Sequence, residues 1–211
     1  MSEVVYVTCK NEYLGWFLST QLHGCTVIAY HGNILDAEAL TSHMRDAIQH
    51  TPSIVIHNAE SHDAIGCKAY NPNSTRNVLR AMTACGCKNI IYLSSADINH
   101  DIYSHYSISK LLAEHVITSW CINHKCVYII MRVPHVIGTC GNIELDLVHT
   151  CDLFQEIQST SAYESYTSIE AFKHAVIQNI TLLSSSATAS ETQVMRSQRV
   201  PVSKFLTLCE Q

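Results

Sequence analysis

The fold class predicted from the sequence is α/β: a doubly wound parallel sheet with a small C-terminal lobe. Three observations predict it. Strand-length apolar runs alternate with helical apolar stripes through residues 4–132, the runs are apolar without a polar alternation, and the pattern weakens after Gly141. Strands that are apolar on both sides need cover on both sides, which intervening helices provide. With 211 residues, 47% of them hydrophobic, the chain can build one core without disulfide or metal staples. The expected division is a core over residues 1–140 and a substrate-side lobe over 141–211.

Val4–Thr8 is an apolar, β-branched run, followed by a polar break at Cys9–Glu12. In Tyr13–Leu22, Leu14, Phe17, Leu18 and Leu22 share one helical face, and Gly24 stops the helix. Thr26–Tyr30 reads as a second strand. Asp36 caps a helix over Ala37–Gln49, in which Leu40, Met44, Ala47 and Ile48 form a stripe. Ser53–His57 is a third strand, Thr75–Cys85 a helix ended by Gly86, and Asn89–Ser94 a very apolar strand. Tyr106–Trp120 is expected to be a helix, with Ile108, Leu111, Leu112, His115 and Val116 on its inner side. Cys126–Arg132 is a further strand. Beyond it, Glu144–Gln158 and Ser168–Leu183 read as helices, Gln193–Val200 as a strand and Val202–Cys209 as a closing helix.

Composition narrows the partners. Thirteen Lys and Arg against eighteen Asp and Glu give a net charge of −5 without a basic block. A nucleic-acid backbone or an anionic membrane is therefore not the expected partner; a small molecule or another protein is. Met1–Val7 lacks a basic, then apolar, leader, and no apolar run approaches the ~20 residues of a spanning helix, so a cytoplasmic location is expected. The ten cysteines then read as reduced, mostly buried, small hydrophobes. Cys121, His124 and Cys126 lack a fourth ligand at zinc spacing, and Cys85-Gly-Cys87 is not spaced as a redox pair, so no metal is expected.

In an open parallel sheet, ligands bind beyond the carboxyl ends of the strands. The segments to inspect are thus Thr8–Glu12, His31–Asn33, Asn58–His62, Ser94–Asp97 and Pro134–Gly138. The most specific local signal is Tyr106-Ser-Ile-Ser-Lys110. Four residues apart on a helix, Tyr106 and Lys110 share a face. An ammonium beside a phenol favours the phenolate, so the pair suits proton transfer near neutrality. Ser95 closes the preceding strand, where a hydroxyl can bond a substrate oxygen in the same crevice.

Ile90-Ile-Tyr-Leu-Ser-Ser-Ala96, Tyr106-x-x-x-Lys110-Leu-Leu-Ala-Glu114 and Met131-Arg-Val-Pro-His-Val-Ile-Gly138 follow in order. Ile54-Val-Ile-His-Asn-Ala59, Asn71-Pro-Asn-Ser-Thr-Arg-Asn77 and Asn33-Ile-Leu-Asp36 fit the same template. Together these closely resemble the short-chain dehydrogenase/reductase superfamily, in its extended epimerase/dehydratase branch, and within it the dTDP-4-dehydrorhamnose reductase-like group. The resemblance covers residues 3–140 well and the tail loosely. It implies a Rossmann-like fold, NAD or NADP as cofactor, and a small hydroxyl or carbonyl substrate of nucleotide-sugar type. Tyr106 would be the general acid/base, Lys110 would tune it and hold the nicotinamide ribose, and Ser95 would polarise the substrate oxygen. Thr8, Lys10, Tyr13, Leu14 and Gly15 would form the diphosphate turn. His31 would follow the second strand, His57, Asn58 and Ala59 would border the adenosine-to-ribose path, and Pro134 and Val136 would pass beside the nicotinamide. A homodimer through the Tyr106–Lys110 helix is the inherited expectation.

The departures are local. The family opens with T-G-x-x-G-x-x-G, and this chain has Thr8-Cys-Lys-Asn-Glu-Tyr-Leu-Gly15. Gly15, the packing glycine, remains, while Cys9 and Glu12 replace the two that admit the diphosphate. Eleven residues separate Ser95 from Tyr106, a short spacing for the superfamily. Two readings follow: an NAD(P)-dependent oxidoreductase or epimerase, and a catalytically inactive relative acting as a binding or regulatory subunit.

Overall fold

A computed structural model describes residues 3–8, 13–48, 53–59, 61, 66–99, 102–137, 139–140, 143–144, 163–185, 190–195 and 198–201. In chain order the elements are β1 (Val4–Thr8), α1 (Tyr13–Gln21), β2 (Thr26–Tyr30), α2 (Ala37–Ala47), β3 (Ser53–His57), α3 (Cys67–Cys85) and β4 (Asn89–Ser95). A 3₁₀ turn at Ala96–Asn99 leads to α4 (His105–His124), β5 (Val127–Val133), β6 (His135–Ile137), β7 (Thr139–Cys140) and β8 (Ile143–Glu144). The tail contributes β9 (Tyr163–Ser168), α5 (Ile169–Ser184), β10 (Glu191–Val194) and β11 (Gln198–Pro201).

Six strands form one parallel sheet in the order β10-β5-β4-β3-β1-β2. Successive side chains along a strand point to opposite faces, so Val5 and Val7 enter one core and Tyr6 the other. The first core also takes Phe17 and Leu18 of α1 and Phe172, Val176 and Ile180 of α5. The second takes Leu40 and Met44 of α2, Val78 and Leu79 of α3, and Ala113 and Ile117 of α4. The doubly wound arrangement read from the apolar runs is therefore the observed one. No helix among the described residues is long and apolar enough to cross a membrane.

Capping explains several boundaries. Asp36 accepts from the Ala39 amide at 3.0 Å, and Ser104 and Ser168 cap α4 and α5 in the same way. Gly86 takes the left-handed conformation, φ 76°, that ends α3.

Four expectations need correction. α3 begins at Cys67 rather than Thr75, passing through Pro72. The proline removes only one backbone donor, and Ser74 and Thr75 bond the Asn71 carbonyl at 2.9 and 2.8 Å, so packing overrides the local break. The buried residues of α4 are Ser107, Ser109, Lys110, Ala113, Glu114, Ile117 and Cys121, whereas Leu112 and His115 point outward. That helix is apolar on more than one side, and the buried Lys110 and Glu114 are satisfied by β4 and β5, which periodicity alone does not reveal. The stretch Gln193–Val200 contains two separate strands: β10 extends the main sheet beside β5, and β11 pairs antiparallel with β9. Ile143–Glu144 is a short strand rather than a helix start, and the remainder of Glu144–Gln158, with Val202–Cys209, lies outside the described residues.

Candidate active site

The strand order reverses between β1 and β3, the place where an open parallel sheet leaves a crevice. In register, Thr8 and His57 end these two strands side by side. The Thr8 hydroxyl lies 2.8 Å from His57 Nδ1, and its oxygen accepts from the Asn58 amide at 3.1 Å. His57 is fully buried; desolvation, helped by the nearby Lys110 ammonium, lowers its pKa to about 3. Asn58 and Ala59 follow it, both buried, and Asn58 Nδ2 has no partner among the described residues.

Two strands further along the sheet, β4 delivers Ser94 and Ser95. The Ser95 hydroxyl donates to Asp97 Oδ2 at 2.9 Å while its oxygen accepts from the Asp97 amide at 3.1 Å. A substrate oxygen that takes the Ser95 proton must therefore displace a carboxylate. Lys110 is 3% exposed, and its ammonium donates to the Leu93 carbonyl at 2.7 Å. The same nitrogen sits 5.3 Å from the Tyr92 ring centre and 5.5 Å from that of Tyr106. Tyr106 and Lys110 thus occupy neighbouring positions at the carboxyl end of the sheet, as their spacing predicts. Ser107, next to Tyr106, buries a hydroxyl oxygen without a partner among the described residues.

Behind this group, Glu114 accepts three hydrogen bonds. Ser94 Oγ donates to Oε1 at 2.6 Å, Arg132 Nε to Oε1 at 3.0 Å, and Arg132 Nη2 to Oε2 at 2.8 Å. Arg132 Nη1 also reaches Asn99 Oδ1 at 2.9 Å. The ion pair raises the Arg132 pKa, and it ties β4, α4, β5 and the 3₁₀ turn together one helical turn from Lys110. Sequence reasoning assigned neither residue a role, although Lys110-x-x-x-Glu114 repeats the four-residue offset of Tyr106 and Lys110.

Of the other expected positions, Gly15 is buried and Leu14 half-buried in α1, and His31 is exposed after β2. Pro134 is buried and Val136 half-buried beyond β5. Tyr13 opens α1, but its side chain, like all of Cys9, Lys10 and Glu12, lies outside the described residues.

The sequence profile of the NAD dependent epimerase/dehydratase family matches residues 18–150. The chain belongs to this family. An Escherichia coli O157:H7 relative, N-acetyl-alpha-D-glucosaminyl-diphospho-ditrans,octacis-undecaprenol 4-epimerase, is 32% identical over 116 residues. That alignment takes in 47% of this chain and 34% of the relative, so the chain spans about a third of the curated protein it matches. Among solved structures, UDP-glucose 4-epimerase from Brucella ovis in complex with NAD superimposes with a TM-score of 0.78 at 16% identity, covering 98% of this chain and 81% of that one. The dTDP-4-dehydrorhamnose reductase from Bacillus anthracis in complex with NADP gives 0.74 at 18% identity, over 98% and 79%. At these identities the superpositions establish the Rossmann-like epimerase fold.

Within the family frame, nicotinamide dinucleotide can be tested against the described residues. Asn58 Nδ2 is a buried donor without a partner among the described residues, set beside the switch point where an open sheet takes its ligand. On this side the donor set suits a dinucleotide hydroxyl or phosphate oxygen; residues 9–12 lie outside the described residues.

Proposed function

We propose that this epimerase/dehydratase family member binds NAD or NADP and catalyses a redox or epimerisation reaction on a small hydroxyl or carbonyl substrate of nucleotide-sugar type. The observation that carries the reading is the Lys110 ammonium, buried beneath β4 and set 5.5 Å from the Tyr106 ring. A fixed positive charge at that distance stabilises the phenolate, so Tyr106 can take a proton from a substrate hydroxyl and return it. The Leu93 carbonyl holds Lys110 in place, which keeps the charge at the site. Ser95 supplies a hydroxyl to the substrate oxygen in exchange for Asp97. Asn58 and Lys110 would hold the dinucleotide, which when bound supplies the hydride-accepting and hydride-donating ring. Thr8, Leu14 and Gly15, with Lys10 and Tyr13, would flank its diphosphate, and Pro134 and Val136 its nicotinamide.

A homodimer through α4 accompanies this reading. Within the C-terminal residues 141–211, the part outside α5 and β10, which join the first core and the main sheet, would supply the substrate side.

A second reading rests on Cys9 and Glu12. A carboxylate at a diphosphate turn opposes an anion, so loss of cofactor would leave the fold as a binding or regulatory subunit with a protein partner. Turnover separates the two. A panel of UDP- and dTDP-sugars is assayed with NAD and NADP, using wild type and Tyr106→Phe. Turnover lost in the variant with cofactor affinity retained supports the enzyme; undiminished turnover removes Tyr106 from the mechanism, and cofactor-independent retention of a co-purifying protein supports the subunit.

A further inference from the structure

We propose that His57 is a positioning residue that couples the end of β1 to the Tyr106–Lys110 segment of α4 through two one-directional runs of hydrogen bonds that meet at Asn71. The inference rests on the proposed reading of Tyr106 as the proton-handling group and of Thr8 as a cofactor-side residue.

The direction of each bond follows from counting hydrogens. The single hydroxyl proton of Thr75 goes to the Asn71 carbonyl, 2.8 Å away within α3. Thr75 Oγ1, 3.1 Å from His57 Nε2, must then accept, so His57 carries its proton on Nε2. A neutral imidazole protonated there presents a bare Nδ1, which accepts the Thr8 hydroxyl proton across 2.8 Å. The Thr8 oxygen in turn accepts from the Asn58 amide at 3.1 Å.

On the far side, Asn71 Nδ2 donates to Ser109 Oγ at 2.9 Å, and Ser109 donates to the Tyr106 carbonyl at 2.7 Å. Asn71 is 1% exposed, and its remaining groups are fixed by Ser61: the Ser61 amide donates to Oδ1 at 2.8 Å and Nδ2 donates to the Ser61 carbonyl at 3.2 Å. The amide therefore cannot turn over without breaking both. Donors thus point from Asn58 through Thr8, His57 and Thr75 to the Asn71 carbonyl. From the Asn71 side chain the same sense runs on through Ser109 to the backbone of Tyr106.

The groups are buried, and hydrogen bonds in such chains polarise one another. Protonating His57 breaks the sequence at once: Nδ1 becomes a donor, and the Thr8 hydroxyl loses its acceptor. Burial, and the nearby Lys110 ammonium on the α4 side, oppose that charge, while the Tyr92 ring packs 5.5 Å from the imidazole centre. His57 therefore stays neutral as a fixed relay. A change at the Thr8 hydroxyl is felt at the Tyr106 carbonyl, whereas a histidine that merely filled the core would transmit nothing.

The test uses the full chain without cofactor. Long-range proton–nitrogen correlation of ¹⁵N-histidine-labelled protein is expected to show His57 as the neutral, Nε2-protonated tautomer. Amide exchange at Ile108, Ser109 and Lys110 is then compared in wild type, Thr8→Val, His57→Leu and the double variant. Thr8→Val is expected to speed that exchange about fivefold, the worth of one hydrogen bond, and to add nothing in the His57→Leu background. If His57→Leu does not fold, His57→Gln replaces it, since its amide keeps a donor near the Nε2 position and removes the acceptor for Thr8. An Nδ1-protonated or charged His57, unchanged exchange in Thr8→Val, or the same acceleration in both backgrounds overturns the proposal. Absence of NADH binding, measured separately, overturns the proposed function alone, because neither readout here involves cofactor.

Discussion

Arg132 grips Glu114 with a forked pair of hydrogen bonds at 3.0 and 2.8 Å, and the partners' side chains are only 20% and 8% exposed. Removing one partner strands the other charge in a poorly solvated place. Arg132→Ala is expected to lower stability by about 3 kcal/mol, while an apolar replacement of both, Glu114→Leu with Arg132→Met, costs less than the single change. Urea unfolding measures both. A double variant as unstable as the sum of its singles would show that the pair does not act as a unit.

Acid should unfold this protein through His57. Its folded pKa of about 3 lies below the unfolded value near 6.5, so the unfolded chain binds the extra proton between these limits. Stability is then complete above pH 6.5 and falls as the pH drops towards 3. The loss from His57 between pH 7 and pH 5 is about 2 kcal/mol. Denaturant midpoints across that range, compared with His57→Gln, measure it; the variant's curve should be flatter by that amount.

Two interior thiols should be inert. Burial, with the neighbouring Cys126, pushes Cys121 up to about 12, and burial raises Cys87 to about 11. At pH 8 about a thousandth or less of either is thiolate, the reactive form. Mass-mapped labelling with an aromatic disulfide should miss both in the native protein and find both in denaturant. Rapid native labelling of either would contradict their placement.

Gly86 ends α3 at φ 76° with no atom near the position of an added Cβ. Gly86→Ala therefore meets backbone strain without a clash, and a loss of about 1 kcal/mol is expected by thermal unfolding. Unchanged stability would mean that the cap does not hold this conformation.

Much of the sheet was legible because its strands are apolar without interruption: Val4–Thr8, Thr26–Tyr30 and Ser53–His57 match to the residue. The neighbouring positions of Tyr106 and Lys110 were legible because a four-residue offset on a helix leaves little choice. Other features depend on contacts that no local pattern encodes. Pro72 sits inside α3 because Asn71, Ser74 and Thr75 are held by bonds within the fold, and the buried side of α4 carries Lys110 and Glu114 because β4 and β5 supply their partners. Ser95 was placed correctly at the end of β4, yet its engagement with Asp97 two residues on depends on the 3₁₀ turn, which the sequence does not announce.

The central claim is that this family member binds a nicotinamide dinucleotide despite Cys9 and Glu12. Titration of the wild-type chain with NADH and NADPH, followed by nicotinamide fluorescence, tests it most directly. Saturable binding of at least one of them, with Kd tighter than about 100 μM, or roughly −5.5 kcal/mol, is the expected result. No binding of either up to millimolar concentration would contradict it.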